Sequence, residues 1–194
     1  MKRAGNWSRI APVLLTAWVL SLYSCSPVQL TSSWSDKNVQ PARFSRLLVV
    51  SFAKDSAKRK LGEDHIKAEM VRHRLVAFTS LDVFGPGFAT TDSVTRRQLL
   101  LGNKFDGLVT FRIIDVHEDY QWQLNSLLTQ SPIGTVVEQD VQMGSELYRV
   151  KDDKLIWWGR SISSSTDPTE YMAEKYARNI VRDMIKKKVL HHAQ

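Results

Sequence analysis

One cysteine, Cys25, stands among 194 residues, so no disulfide can form within the chain and any fold must be held by a buried core. The material for a core is present. Hydrophobic residues make up 43% of the chain and charged ones 24%, a globular balance. The formal charge of +7 falls to about +4 once the three basic residues ahead of the cysteine are set aside, with acids and bases interspersed. The one basic run, Lys186 to Lys188 followed by His191 and His192, lies where a last helix should end and complements its dipole. No aromatic-interleaved basic patch occurs, which argues against nucleic acid as a partner.

The residues before Cys25 carry a signal. Lys2, Arg3 and Arg9 form a positive head, followed by an apolar stretch from Ile10 to Leu22. That stretch is short for a permanent spanning helix, which needs roughly 20 apolar residues. Leu22 and Ser24, directly before the cysteine, resemble a bacterial lipobox. The resemblance implies a signal peptide over residues 1–24, cleavage before Cys25, and acyl chains on the sulfur and on the new amino group of that residue. Two or three such chains anchor a protein stably where one is marginal. Ser26 rather than an aspartate follows the cysteine, which by resemblance to enteric lipoprotein sorting implies the outer membrane, facing the periplasm. With the thiol consumed by lipid, neither a cysteine nucleophile nor a thiolate metal site remains.

About 170 residues are left for one domain. Residues 25–45 are polar, rich in serine and hold Pro27 and Pro41. They read as a lipidated cysteine and flexible tether with a reach of about 25 Å, in which Trp34 can dock on the domain. The domain then spans 46–194. Arg46 to Phe52 is a nearly continuous apolar run, as in a strand buried on both faces. Lys54 to Lys60 reads as a loop. Glu63 to Phe78 reads as a helix with Ile66, Met70, Val71, Leu75 and Phe78 on one face, and Leu81 to Phe84 as a brief strand stopped by Gly85-Pro86-Gly87. Asp92 caps a second helix to about Leu101. Gly107 to Trp122 is a long strand, Gln130 to Gly134 a turn, and Thr135 to Val150 and Leu155 to Ser163 a hairpin joined at 151–154. Asp167-Pro168 opens a last helix, to about Val189, with Met172, Tyr176, Ile180 and Met184 as its buried stripe. The order β-α-β-α-β-β-β-α predicts an α/β fold, a mixed sheet of about five strands packed by helices.

Four short segments carry a resemblance: Thr31-Ser32-Ser33-Trp34, Leu47-Leu48-Val49-Val50, Phe105-Asp106-Gly107-Leu108-Val109 and Lys154-Leu155-Ile156-Trp157. On these the chain resembles uncharacterised envelope lipoproteins of Gram-negative bacteria. Their domain is similar to the N-terminal domain of the Tol-system propeller protein and to the curli-secretion and penicillin-binding-protein-activator lipoproteins. The resemblance implies a binding or assembly module and carries no catalytic residues across.

Candidate chemistry is sparse. Alternation would place Asp115, His117 and Asp119 on one face of a strand, but the outer two stand about 13 Å apart, too far to share an ion. His65 and His73 lie about 12 Å apart along one helix and cannot share one either. There is no Gly-x-Ser-x-Gly elbow among the many serines. Ala53-Lys54-Asp55-Ser56, after the first strand, has no glycine to cradle phosphate. The aromatics offer more. Trp157 and Trp158 are adjacent, so one faces the core and the other a helix, the tether or an exposed surface. Trp122 shares strand parity with Tyr120. These three tryptophans are the candidate partner-binding residues. The chain is therefore expected to be a non-catalytic envelope accessory, held to the membrane by lipid on Cys25, with a protein partner and no cofactor or metal. The rival expectation is a periplasmic binder of small molecules or cell-wall fragments, or a hydrolase.

Overall fold

The computed structural model describes residues 28–38, 43–122, 135–164 and 170–191, the side chains of 116–122, 135–139 and 164 excepted. The signal peptide, Cys25, the turn at 130–134 and the Asp167-Pro168 helix start lie outside them. The elements are β1 (Val28–Ser35), β2 (Leu47–Ser51), α1 (Ser56–Arg72), β3 (Ala77–Thr79), α2 (Ser80–Phe84), a 3-10 turn (Pro86–Thr90), α3 (Ser93–Gly102), β4 (Gly107–Trp122), β5 (Thr135–Arg149), β6 (Lys154–Ser164) and α4 (Glu170–Lys186). They build one six-stranded sheet, ordered β1-β6-β5-β4-β2-β3. β2 pairs in parallel with β3 and β4, and the remaining pairs are antiparallel. The α/β mixed sheet is the one read from sequence, with one strand more.

That extra strand corrects the tether. Residues 28–35 are not a flexible leash but the edge strand β1, paired from Val28↔Ser163 to Ser35↔Trp157. Val28 is fully buried, Leu30 packs against the core, and the Asn179 amide donates to the Val28 carbonyl at 2.8 Å. An edge strand needs only one buried face, so a serine-rich sequence suffices. The Asp36 amide donates to the Ile156 carbonyl, and Lys154 Nζ lies 2.7 Å from the Asp36 carboxylate, closing the strand's far end.

α1 also begins earlier than read. Asp55 caps it, accepting from the Ala57 and Lys58 amides, so the supposed loop at 54–60 is largely helix. Its buried stripe includes Arg59, Glu63 and Glu69 beside Ile66 and Met70, which hides the apolar period. The helix ends at Arg72 and His73, and Arg74 follows in the left-handed region (φ 61°). No glycine or proline announces that stop. Phe78 therefore lies in β3, and Leu81 to Phe84, read as a strand, is the short helix α2. β4, β5, β6, α3 and the stripe of α4 stand where the periodicity put them.

α1 and α4 cover one face of the sheet, burying Leu47, Val49, Val109, Leu147, Trp157, Tyr176 and Ile180 in the main core. α2, the 3-10 turn and α3 cover only part of the other face. There Leu48, Val50, Phe88, Leu100, Phe105 and Val150 form a second, smaller core.

Candidate functional site

Because helices cover the second face only over β3, β2 and the start of β4, the same face of β4, β5, β6 and β1 carries no helix among the described residues. Directly paired residues share a face, so the register names its two rows. Thr110, Glu146, Trp158 and Trp34 lie across the strands in one, and Arg112, Gly144, Arg160 and Ser32 in the next. Trp34 is 43% exposed, Trp158 is half-buried, and Arg112 and Arg160 are exposed. Gly144 fits a close approach here: a Cβ on it would stand 2.7 Å from Ile114 Cδ1, so only glycine lets that side chain lie across β5. The bulge between Ile113 and Asp115 accompanies the approach.

Glu146 is the acid of the first of these rows and it is held. Tyr148 donates its hydroxyl to it at 2.9 Å, Thr110 approaches at 3.4 Å, and Arg112 Nη2 lies 3.7 Å away. Burial, then the hydrogen bond to Glu146, pushes the Tyr148 hydroxyl up to about 12. Beside it, α3 and the sheet enclose a groove of about 300 Å³. Arg96, Arg97 and Arg112 stand round its apolar floor of Leu100, Leu108 and Val150.

The three tryptophans part company. Trp157 is fully buried on the helix-covered face and its indole donates to Asp183 at 2.8 Å, which removes it from any docking surface. A bulge in the β5–β6 register turns both Ile156 and Trp157 inward, where strict alternation would expose one. Trp158 lies on the open face, paired between Glu146 and Trp34. Trp122 is paired with Thr135 at the end of β4, its side chain outside the described residues. Trp34, read as tether, is the residue that sequence reasoning missed. Its parity with Trp158 appears only once β1 is paired to β6.

Of the acid–histidine pattern, Asp115 is exposed beside the bulge, while the His117 and Asp119 side chains lie outside the described residues. His73 sits 3.3 Å from Glu69 within α1. Among the described residues no three His, Cys, Asp or Glu side chains are placed to hold a metal. A buried ionic cluster does exist. Glu63 accepts from the Ser51 amide, Arg59 Nε and the Ser80 hydroxyl through one oxygen, and from the Leu81 amide through the other. Arg59 also donates to the Pro86 carbonyl and to Ser80 at 2.7 Å each. Glu63 is filled by these donors and fully buried, so the cluster ties α1 to β2, α2 and the 3-10 turn and offers no reacting group.

No protein-family model and no curated protein matches this chain. Solved structures similar to it include three bacterial ones. The PelC dodecamer from Paraburkholderia phytofirmans is 7% identical, covering 86% of this chain and 99% of that one with a TM-score of 0.49. The lipoprotein GNA1162 from Neisseria meningitidis is 14% identical, covering 73% and 99%, with a TM-score of 0.46. A minor lipoprotein from Acinetobacter baumannii is 14% identical, covering 75% and 88%, with a TM-score of 0.23.

Proposed function

We propose that this chain is a lipid-anchored protein of the bacterial envelope, acylated at Cys25 and facing the periplasm from the outer membrane. Its role is that of a non-catalytic accessory, presenting a rigid domain to a protein partner in an envelope complex. The lipobox reading at Leu22–Cys25 supports the anchor, and the four segments resembling the Tol-propeller, curli-secretion and activator lipoproteins support an assembly role. The observation that carries the docking surface is the helix-free face of β4, β5, β6 and β1, where Trp34 and Trp158 stand beside Arg112 and Arg160. Aromatic and arginine side chains dominate the centres of protein interfaces. The test is affinity capture from cross-linked, detergent-solubilised envelopes. A partner retained by wild type and lost by a folded Trp34→Ala/Trp158→Ala variant supports the reading. Turnover of a substrate by the purified domain, lost on changing Glu146 or Tyr148, sinks it.

The groove beside α3 favours a second reading, a binder of small anions. Its volume lies at the low end of ligand pockets, and Arg96 Nε is buried with no hydrogen-bond partner among the described residues. Saturable binding of a carboxylate that Arg112→Gln weakens, with no captured protein, would select it.

A further inference from the structure

The groove beside α3 continues onto the open sheet. Arg112 and Glu146 line both it and a second, smaller cavity of about 210 Å³ over β4, β5 and β6. The two cavities are halves of one trough that crosses the strands from α3 to Trp158. The α3 half has the apolar floor of Leu100, Leu108 and Val150, with Phe52 at its rim. The far half is lined by Ile114 and Trp158 about Gly144, which stands between Arg112 and Arg160 in the register. That row spans about 10 Å between its outer strands.

Charge decides the sign of what the trough can take. Arg96, Arg97, Arg112 and Arg160 line it, against Glu146 and Asp153. Glu146 is already held by Tyr148 and Thr110, and Arg112 lies 3.7 Å from it, beyond hydrogen-bond distance. Arg97 donates to the uncharged Lys151 carbonyl, and Arg160 is exposed and paired with no acid among the described residues. Arg96 donates to the Ala89 and Thr91 carbonyls and lies over the Phe52 ring, again neutral partners. A net positive trough with an apolar floor complements an anionic occupant that carries an apolar group.

Shape decides the class of that occupant. A small-molecule pocket encloses most of its ligand in roughly 300–1,000 Å³. Each half of the trough is at or below the bottom of that range and open to solvent. An extended peptide needs no such enclosure, because it seats single side chains in successive hollows and leaves its backbone in water. We propose that the partner docks here through an extended acidic segment, with one apolar side chain on the Leu100, Leu108 and Val150 floor and carboxylates on Arg112 and Arg160. The proposal rests on the docking reading above and supplies the partner's chemistry. Guanidinium–carboxylate bonds are charge-assisted and among the stronger hydrogen bonds. Trp158 and Trp34, in the neighbouring row, add the aromatic anchors.

The test is selection from a library of random short peptides on the full-length protein held in detergent. Enriched peptides are expected to carry two acids about two to four residues apart, a spacing set by about 3.3 Å per extended residue, with Leu, Phe or Trp beside them. Arg112→Gln/Arg160→Gln, with the fold intact by circular dichroism, is expected to weaken a selected peptide about tenfold. Changing the peptide's apolar residue to serine is expected to weaken it as well. Lys186→Gln, an equal loss of charge on the helix-covered side, is expected to leave binding unchanged. Enrichment of peptides without acids, no enrichment at all, or an equal loss from Lys186→Gln would overturn the proposal. So would polygalacturonate binding through Arg112 and Arg160 in place of any peptide, which would assign the trough to an anionic polysaccharide. Each of these results overturns the acidic segment alone where a partner dependent on Trp34 and Trp158 is still captured from envelopes. Absence of any such partner would remove the docking reading and this proposal with it.

Discussion

Single side chains make the least expected contributions at buried charge. Arg59 and Glu63 lie in the interior with every carboxylate oxygen occupied, so removing one partner strands the other. Arg59→Met is expected to cost about 3–5 kcal/mol in urea unfolding, and the double change Arg59→Met/Glu63→Leu to recover part of it. Equal losses for the single and double variants would show that the cluster holds no buried charge in check. Tyr148 gives a pH signature. Its pKa is raised to about 12 in the folded chain, so above about pH 10 the unfolded state releases a proton that the native state keeps. Stability is therefore present below pH 10 and declines as pH rises from 10 through 12. Tyr148→Phe is expected to flatten that decline in unfolding curves between pH 8 and 11. Tyr176, fully buried with its hydroxyl on Ser145, is shifted in the same direction and leaves a residual slope. None of this was legible in the sequence: Arg59 reads as part of a basic loop, and Tyr148 as one more strand aromatic.

At the scale of elements, signals that lie within a few residues were readable and signals that need a partner were not. The cap Asp92, the length of β4, the β5–β6 hairpin and the α4 stripe all follow from local spacing, and each stands where the spacing put it. β1 does not, because its evidence is a row of partners on β6 more than a hundred residues away. Alternate β1 amides are expected to exchange with solvent hydrogen many times more slowly than an unstructured tether would. Exchange of residues 28–35 at random-coil rates would return that segment to a leash. The end of α1 was missed for a related reason: a left-handed Arg74 replaces the usual glycine, and tertiary packing of Leu75 and β3 holds it there.

For the whole molecule, the lipid-anchored reading proposed above would leave only Ser26 and Pro27 between Cys25 and β1, in place of a long leash. The chain's own sequence determined the absence of disulfides, the α/β class, most strands and helices, and the anchor reading, since these depend on composition and on neighbours along the chain. Only the tertiary structure decided which tryptophan is core and that Trp34 joins Trp158 on an open face. Those are relations between strands, and hydrogen-bond register sets them where sequence spacing cannot.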